Sequence, residues 1–319
     1  MKESPLFWPV ILKKDHLLVL DETGVPKVQY IKVKDYRAAV RLIKQMKVRA
    51  FGQLLIVLYV LSLECVKMKS KSTEAFLKKL SQIKQAIDAS RPTFPFAQVT
   101  GMVLSWAQAI AGEGGDVVEG VSARIEGFLE AIRKQRYAQA QKAANLLNNN
   151  DTVLTHCNIS GSLPLIAELC RKENKTIRFF ATETRPYFQG ARLTAWELQR
   201  AGFEVTVIVD SAVASLMRDK KISKVIVGAD CMAQNGDIAN KIGTYNIAIL
   251  AQQFNIPFYV LVPPVSRYKT GNDIPIEIRP EKELLEYKGK RIAAKGVKGY
   301  YPAFDVTPQE LITAHIHLQ

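Results

Sequence analysis

The sequence has few cysteines, and they are not arranged to hold a metal or a disulfide framework. Four occur among 319 residues, and no two of them form a Cys-x-x-Cys pair. A chain of this length can be stabilised by ordinary hydrophobic cores, so we expect neither a zinc site nor disulfide bonds. The sequence also lacks a Gly-x-Gly-x-x-Gly dinucleotide fingerprint, and we therefore expect no cofactor.

Long apolar runs are equally scarce. The longest, residues 54–63, is interrupted only by Ser62 and is too short to cross a bilayer. Lys13, Lys14 and Asp15 interrupt any apolar core near the amino terminus, which argues against a signal peptide. We therefore expect a soluble, cytoplasmic protein that does not associate with a membrane.

Basic residues outnumber acidic ones. The 44 Lys and Arg residues exceed the 30 Asp and Glu residues by a net charge of +14, which suits an anionic substrate. The densest basic patches, residues 67–71 and 288–298, contain no interleaved aromatic side chains of the kind that stack on nucleic-acid bases. We expect a small anionic partner and do not expect nucleic-acid binding.

Two parts of the sequence differ in pattern and together predict an α/β protein of two domains. Residues 1–122 start with short alternating apolar segments, typical of an antiparallel meander, and continue with helical periodicity. They predict a small N-terminal α+β domain. Residues 123–149 predict a long linking helix, and residues 123–319 as a whole predict the second domain.

Beyond residue 151, short β-branched segments alternate with helical ones. The segments that predict strands are residues 153–157, 177–182, 205–210, 224–230 and 258–263. The segments that predict helices are residues 163–172, 191–201, 212–218 and 244–254. Because continuous apolar strands alternating with helices are typical of parallel sheets, we expect a doubly wound, Rossmann-like sheet.

Polar side chains follow these predicted strands, and the carboxyl ends of parallel strands share one edge of a sheet. We therefore expect a group of side chains to converge there: His156, Cys157, Asn158, Arg185, Gln189, Asp210 and Asp230. Cys157 precedes a helix start whose N–H groups lower a thiol's pKa, which suits a base or nucleophile. The alternative is a buried cysteine that only fills space.

Residues 225–244 are the most informative segment. They begin as an apolar strand and are predicted to end in the first turn of a helix, with Asp230, Asn235, Asn240 and Lys241 between. A helix amino end and a lysine both favour phosphate, and a carboxylate among apolar walls can act as a general acid. The segment predicts a sugar-phosphate site with Asp230 as the acid; the alternative is an ordinary polar loop.

Other residues at this edge allow two interpretations each. Arg185 either binds phosphate or holds its loop through a salt bridge, and Gln189 is placed to bond a sugar hydroxyl. His156 is either a base or a buried residue that supports its neighbours. Together with Asn158 and Asn235, we expect His156 and Arg185 to support the site.

Several segments resemble the methylthioribose-1-phosphate isomerases and, through them, the alpha, beta and delta regulatory subunits of translation initiation factor 2B. They cover most of residues 150–319 and are Thr155–Asn158, Glu183–Pro186, Gln189–Leu198, Gly228–Asp230, Asn235–Thr244, Ile256–Tyr259, Ile274–Glu277 and Pro302–Pro308. Residues 46–49 and 90–93 resemble the same family more loosely.

The resemblance implies conversion of a ribose 1-phosphate from aldose to ketose by a homodimer, at a site between the two domains. In this resemblance Cys157 and Asp230 match the catalytic pair. The positions that match substrate-binding residues are Arg49, Arg91, Gln189, Asn240 and Lys241, with the two arginines binding phosphate. Alternatives are a ribose-1,5-bisphosphate or deoxypentose 1-phosphate isomerase, or a non-catalytic subunit that senses a sugar phosphate or nucleotide.

The sequence departs from the family pattern around the predicted phosphate loop. Ala50 and Phe51 follow Arg49 where the family has a glycine, Phe94 follows the second arginine segment, and Cys231 replaces an arginine. A side chain in place of glycine changes how the backbone can meet a phosphate. We therefore expect the isomerase chemistry on a shifted substrate. The apolar helix predicted over residues 52–67 also needs burial, which favours a dimer.

Overall fold

The structure, a computed structural model, describes residues 3–69, 72–91 and 96–318. The chain divides into two compact units. One contains residues 5–135, and the other contains residues 136–319 with the amino-terminal residues up to Ser4. The division falls within one long helix, and residue 122, the predicted end of the first domain, lies in that same helix.

The first unit is a small antiparallel sheet followed by helices. Its strands are β1 (Val10–Leu12), β2 (Leu17–Leu20) and β3 (Tyr30–Val33), in that order. Its helices are α1 (Tyr36–Lys44), α2 (Ala50–Lys67), α3 (Thr73–Asp88), α4 (Phe96–Gly112) and the first part of α5 (Val117–Asn145). The predicted meander is confirmed, whereas α4 had no counterpart in the sequence-based prediction.

Helix α2 is the central core helix of this unit. It is 18 residues long and apolar enough to cross a membrane by length and composition, although its uninterrupted apolar run is too short to do so. Most of it is buried: Leu55, Ile56 and Val57 are fully covered and belong to the core cluster of the unit. The chain itself therefore covers the apolar surface from which the sequence argument for a dimer was drawn.

The second unit is built on a six-stranded parallel sheet. The sheet strands are β4 (Thr152–Thr155), β5 (Arg178–Thr182), β6 (Val205–Ile208), β7 (Lys224–Gly228), β10 (Phe258–Val262) and β14 (Ala314–His317). Short strands outside it are β8 (Cys231–Met232), β9 (Ile238–Lys241), β11 (Glu286–Tyr287), β12 (Lys290–Arg291) and β13 (Phe304–Thr307). The helices are α6 (Ser162–Lys172), α7 (Ala195–Arg200), α8 (Val213–Arg218), α9 (Thr244–Gln253) and α10 (Lys282–Leu285), with a π-helical turn at Gly190–Thr194 before α7.

The strand order of this sheet confirms the predicted doubly wound α/β class. The order is β14-β10-β7-β4-β5-β6, and each neighbouring pair is parallel. The chain therefore runs outward from β4 on one side and outward from β7 on the other. In such sheets ligands bind beyond the carboxyl ends of the strands at the point where the order reverses. Here that point lies between β4 and β7.

The segment after β7 contains a strand that was not predicted. Residues 238–241, between the predicted strand and the predicted helix, form β9, which pairs with β8 and with β13 in a separate antiparallel sheet. The helix begins at Thr244, after Gly243. The partner strand β13 lies more than 60 residues further along the chain, so no local pattern indicates this pairing.

Candidate active site

Cys157 lies two residues beyond the end of β4, in a backbone conformation that few residues other than glycine adopt. Its φ is +64°, within the left-handed region. Such a conformation persists only where the surroundings impose it, and it is concentrated at functional sites. The half-buried thiol therefore stands at the reversal point of the sheet in a conformation that the protein enforces.

Two threonines impose this conformation. The Cys157 N–H donates to Thr184 Oγ1 at 3.0 Å, and Thr194 Oγ1 donates to the Cys157 carbonyl at 2.6 Å. Thr184 follows β5, whereas Thr194 ends the π-helical turn before α7, so the two bonds come from different elements. Both threonine side chains are fully buried. The backbone on either side of the thiol is fixed by hydroxyl groups that water does not reach.

Asn158 continues the same network on the next residue. Its side-chain amide nitrogen donates to Thr194 Oγ1 at 2.9 Å and to Glu197 Oε1 at 2.6 Å, and its side-chain oxygen Oδ1 accepts from the Ser160 N–H at 2.9 Å. Glu197 is buried and also accepts from the Ser4 hydroxyl. Asn158 thus holds the loop that carries the thiol, as expected of a supporting residue.

His156 is enclosed and engaged on both sides of its ring. It is 3% exposed; Nδ1 lies 2.7 Å from Thr182 Oγ1, and Nε2 lies 2.8 Å from the Ile242 carbonyl oxygen. Burial, the largest cause, lowers the pKa of His156 below its usual value. Because both ring nitrogens are occupied within the protein, His156 supports its neighbours and does not face a ligand as a base.

The loops that follow β4 and β7 pack against each other. A Cβ on Gly228, the last residue of β7, would lie 3.2 Å from Ile159 Cγ2 in the loop after β4. A larger residue at Gly228 would push the two loops apart. Ile159 and Gly228 are each two residues from Cys157 and Asp230 respectively, so this contact brings together the segments that carry the two predicted catalytic residues.

Asp230 itself is exposed, which differs from the expected carboxylate among apolar walls. The reason is its position: β7 ends at Gly228, so Asp230 lies beyond the part of the strand that helices cover. Its N–H donates to the Ala239 carbonyl at 2.9 Å, which ties it to β9. A ligand bound over this edge would cover the carboxylate and supply the enclosure that the protein alone does not.

The loop after β5 places Arg185 and Gln189 at the same edge. Asp210, after β6, accepts from the Thr184 N–H at 2.7 Å and from the Arg185 N–H at 2.8 Å. The Arg185 guanidinium lies over the Phe188 ring, 5.0 Å from its centroid. The side-chain oxygen of Gln189 is buried and has no hydrogen-bond partner in the structure. An acceptor of this kind is suited to a ligand hydroxyl.

Asn240 and Lys241 lie on β9 and are both buried. As consecutive strand residues they face opposite sides. The Asn240 amide donates to Thr244 Oγ1 at 2.9 Å, and the Lys241 ammonium lies 4.8 Å from the centroid of the Phe304 ring. Asn240 thus supports the start of α9, while Lys241 holds a buried charge beside β13.

Asn235 is exposed in the turn between β8 and β9. Its side-chain amide nitrogen donates to Asp237 Oδ2 at 2.8 Å, and its side-chain oxygen Oδ1 accepts from the Asp237 N–H at 3.2 Å. Asp237 in turn accepts from the backbone of Gly271 and Gln309. Asn235 therefore helps to shape the turn that leads into β9.

The two arginines predicted to bind phosphate each lie beside the amino end of α2 in the first unit. Arg49 is the residue before α2, and its Nε donates to the buried Glu22 carboxylate at 2.6 Å. Arg91 donates to Gln53 Oε1, in the first turn of α2, at 3.1 Å. Phe51, on the same turn, packs edge-on against Trp8. Residues 92–95, which include the departure at Phe94, lie outside the described residues.

Several residues of this network were not singled out from the sequence, notably Thr182, Thr194 and Glu197. Thr194 and Glu197 are three residues apart and so share one helical face. Both are buried although polar, and the available signals were that spacing and their place in residues 189–198, a segment that resembles the family. Over the ranges that the structure describes, no group of three or more His, Cys, Asp or Glu side chains is placed to hold a metal ion.

Comparison with known proteins agrees with this architecture. Residues 53–317 match the Initiation factor 2 subunit family. The chain is 40% identical to a methylthioribose-1-phosphate isomerase of Thermosipho africanus over 95% of this chain and 91% of the relative. It is 37% identical to the same enzyme of Desulforudis audaxviator over 99% and 93% of the two chains.

Solved structures give the same relationship. The 5-methylthioribose 1-phosphate isomerase of Pyrococcus horikoshii OT3 has a TM-score of 0.85 and 29% identity, covering 99% of this chain and 93% of that one. The delta subunit of translation initiation factor eIF-2B from A. fulgidus has a TM-score of 0.83 and 32% identity, covering 97% and 94%. The chain therefore belongs to the Initiation factor 2 subunit family and, within it, to the methylthioribose-1-phosphate isomerases, a family of enzymes.

Proposed function

We propose that this protein converts a pentose 1-phosphate, methylthioribose 1-phosphate or a close analogue, from the aldose to the ketose form, with Cys157 and Asp230 as its catalytic residues. The observation that carries the proposal is the geometry at the reversal point of the sheet. A thiol in an enforced left-handed conformation and an exposed carboxylate follow neighbouring central strands, and their loops pack together at Ile159 and Gly228.

The chemistry requires an acid, because a sugar phosphorylated at its anomeric carbon has no free aldehyde. The bond between C1 and the ring oxygen must break, and the ring oxygen must take up a proton. Asp230 is the proposed donor, and a ligand that covers it favours its protonated form by removing water. Phosphate stays on C1 throughout, so the reaction is an isomerisation with no group lost.

Two routes complete the transfer. In the proton route the Cys157 thiolate removes the proton from C2 as the ring opens; this leaves an enol between C1 and C2, and C1 is then protonated while the C2 hydroxyl loses its proton. In the hydride route the C2 hydrogen moves to C1 with its electron pair, and the C2 hydroxyl releases a proton that Cys157 relays. Either route ends in a C2 ketone.

The remaining site residues support this proposal by their chemistry. The unpartnered oxygen of Gln189 suits a substrate hydroxyl, and the buried Lys241 ammonium suits the anionic substrate. Asn240 remains a predicted substrate ligand, and His156, Asn158, Arg185 and Asn235 are proposed to support the segments that carry these groups. Arg49 and Arg91 remain the predicted phosphate ligands, because both guanidinium groups lie at a helix amino end, where anions bind.

The direct test is turnover. The purified protein is incubated separately with methylthioribose 1-phosphate, ribose 1,5-bisphosphate, ribose 1-phosphate and deoxyribose 1-phosphate, and ketose formation is measured. We expect turnover with at least one, and its loss in Cys157→Ser and Asp230→Asn. Failure of the wild-type protein on all four would overturn the proposal. In D2O, deuterium incorporated at C1 indicates the proton route, and its absence indicates hydride transfer.

A second candidate is a non-catalytic subunit that binds a sugar phosphate or nucleotide. It is favoured by one observation, the similarity to the A. fulgidus delta subunit, which is as extensive as the similarity to the P. horikoshii isomerase. A binding subunit would bind pentose phosphates without turnover, and Cys157→Ser and Asp230→Asn would leave its affinity unchanged. Calorimetric titration beside the ketose assay separates the two candidates.

Two further parts of the proposal concern assembly and location. We propose a homodimer, which the resemblance implies, and light scattering coupled to size-exclusion chromatography tests it directly. We also propose a cytoplasmic location, because the relatives are metabolic enzymes. Fractionation of cells that express the tagged chain tests the second point.

A further inference from the structure

One peptide group near the candidate site is held on both of its sides by side chains. The peptide between Ile242 and Gly243 follows β9 and precedes α9. Its carbonyl oxygen lies 2.8 Å from His156 Nε2, and its N–H donates to Asp305 Oδ2 at 2.7 Å. Two ionisable residues from distant parts of the chain thus bond to opposite ends of one peptide.

The partners of His156 define its protonation. A carbonyl oxygen only accepts hydrogen bonds, so Nε2 must carry the hydrogen and donate to Ile242. In the neutral ring Nδ1 is then an acceptor, and the Thr182 hydroxyl at 2.7 Å donates to it. Burial lowers the pKa of His156, which is consistent with a neutral ring. Its orientation is therefore fixed at both nitrogens.

The histidine side of this peptide is connected to the thiol. Thr182 Oγ1 lies 3.2 Å from Thr184 Oγ1, which accepts from the Cys157 N–H at 3.0 Å. All three side chains in this chain of bonds, those of His156, Thr182 and Thr184, are buried. A displacement of the Ile242 carbonyl would be transmitted through these bonds to the backbone of Cys157.

The aspartate side is connected to the lysine. Asp305 lies on β13, directly opposite Asn240. The neighbouring Phe304 lies opposite Lys241, and the Lys241 ammonium group lies over the Phe304 ring. Asp305 also accepts from the Tyr245 N–H at 3.2 Å, in the first turn of α9. It therefore joins three segments: β13, the start of α9 and the residues that follow Lys241.

The fit between the peptide and the histidine is close. Gly243 has a φ of +104°, and a Cβ at this position would lie 3.2 Å from His156 Cε1. A side chain here would meet the imidazole ring and would also strain the backbone. The peptide therefore occupies a space that the imidazole ring defines.

We infer that His156 and Asp305 are positioning residues that hold the Ile242–Gly243 peptide from both sides and thereby set the position of Lys241 relative to Cys157. The inference rests on the proposed function for its kinetic consequences and extends it to two residues that do not touch substrate. Because both act on one peptide, loss of either bond should have the same consequence. That consequence is weaker substrate binding through a displaced Lys241.

Matched substitutions separate positioning from general destabilisation. In His156→Gln the amide nitrogen reaches the place of Nε2 and keeps the bond to Ile242, whereas in His156→Asn the shorter side chain does not reach it. Asp305→Asn keeps a carbonyl oxygen for the Gly243 N–H, whereas Asp305→Ala keeps none. The control is Asp151→Ala, a buried carboxylate with bonds to Asn148 and Ser223 at the opposite, amino edge of the sheet.

In the ketose assay we expect His156→Asn and Asp305→Ala to raise KM about tenfold or more, the equivalent of one lost hydrogen bond. His156→Gln and Asp305→Asn should stay within about threefold of wild type, because each keeps the bond to the peptide. The double variant His156→Asn/Asp305→Ala should be little worse than either single variant, since both remove the same constraint. Asp151→Ala should lower thermal stability and leave KM unchanged.

Wild-type KM in both His156→Asn and Asp305→Ala, or effects that multiply in the double variant, would overturn the inference while the proposed function stands. If instead the wild-type protein turns over no substrate, the proposed function fails and a second measurement still decides the inference. Hydrogen exchange of the Gly243 amide should be at least about tenfold faster in Asp305→Ala and His156→Asn than in wild type and Asp151→Ala. Unchanged exchange would overturn the inference on its own.

Discussion

The loops after β4 and β7 flank the same reversal point, yet their candidate catalytic residues differ in exposure and in how the backbone is held. Cys157 has its N–H and its carbonyl bonded to buried threonines, and its φ is +64°. Asp230 follows a strand of the same sheet, is exposed, and is tied to the protein through its N–H to Ala239. One residue has an enforced geometry, and the other is placed where a ligand can cover it.

This difference agrees with the two proposed chemical roles. A group that moves a proton or hydrogen between adjacent carbons must be correctly oriented before reaction, and positional error there is costly. An acid that protonates the ring oxygen depends more on its environment, because exclusion of water decides which protonation state is favoured. The protein supplies the orientation of the thiol, and the bound substrate would supply the enclosure of the carboxylate.

The largest expected effect comes from removing the two proposed reacting groups themselves. Cys157→Ser and Asp230→Asn should each lower kcat by about a thousandfold or more, as loss of a general acid or base does. Both keep the size of the side chain, so thermal unfolding should be close to that of wild type. A kcat within tenfold of wild type in either variant would contradict the assignment of that residue. Ketose formation under substrate saturation is the measurement.

The hydrogen bonds to the Cys157 backbone can be removed while the thiol itself is kept. Thr184→Val and Thr194→Val delete the bonds to the Cys157 backbone while keeping a β-branched shape, and kcat should fall about a hundredfold through misplacement of the thiol. Thr184→Ser and Thr194→Ser, which keep the hydroxyl, should restore most of it. Thr100→Val is the matched control, since Thr100 is equally buried and bonds to Asp88 in the other unit. Equal losses of kcat in all three valine variants would show destabilisation alone.

A smaller effect is expected from the predicted phosphate ligands of the first unit. Arg91→Gln should raise KM about tenfold to thirtyfold, the equivalent of one charge-assisted hydrogen bond, with a lesser change in kcat. Arg49→Gln should do the same and also lower stability, because it leaves the buried Glu22 without its guanidinium contact. Arg37→Gln, on α1, is the control and should change neither constant. Unchanged KM in both Arg91→Gln and Arg49→Gln would remove these residues from the site.

The parts of this site that the sequence could predict are the local ones. Strand ends follow from β-branched runs, and parallel topology then brings Cys157 and Asp230 to one edge, as the strand order shows. The strand β9 was not predicted, because it is defined by pairing with β13, a distant partner. Asp305 was missed for the same reason, since its role depends on Gly243 and becomes visible only when β13 lies beside β9.

Burial could not be predicted reliably either. The sequence places Asp230 at the end of an apolar strand and so suggested apolar surroundings, yet a position two residues past the strand is exposed. Conversely, Thr184 and Thr194 look like ordinary loop and helix threonines and are fully covered. Periodicity describes which side of an element faces the core, and loops beyond its ends have no such periodicity.

The remaining expected effect concerns pH and leaves activity aside: it tests the two positioning residues through stability. Burial lowers the pKa of His156, so the folded protein binds fewer protons there than the unfolded chain, and stability falls as pH drops below the ordinary histidine value of about 6.5. Burial raises the pKa of Asp305 to about 6 from 3.8, so the folded protein binds more protons there, and stability rises as pH falls between these values. The nearby charges are Asp210 and Lys241 for His156, and Lys241 for Asp305.

Between pH 6 and pH 4 the two contributions therefore oppose each other in the wild-type protein. Asp305→Asn removes the contribution that stabilises the folded protein at acidic pH. The free energy of unfolding of this variant, relative to wild type, should therefore decline by up to about 1.4 kcal/mol for each pH unit of acidification. His156→Gln removes the contribution that destabilises the folded protein at acidic pH. The free energy of unfolding of this variant should therefore rise relative to wild type over the same pH range. Urea unfolding at half-unit pH steps gives both differences, and subtraction of the wild-type curve cancels the carboxylates that all variants share. Parallel curves for wild type and Asp305→Asn would show that Asp305 is ionised alike in the folded and unfolded states, because only a proton bound differently in the two states can tilt one curve against the other.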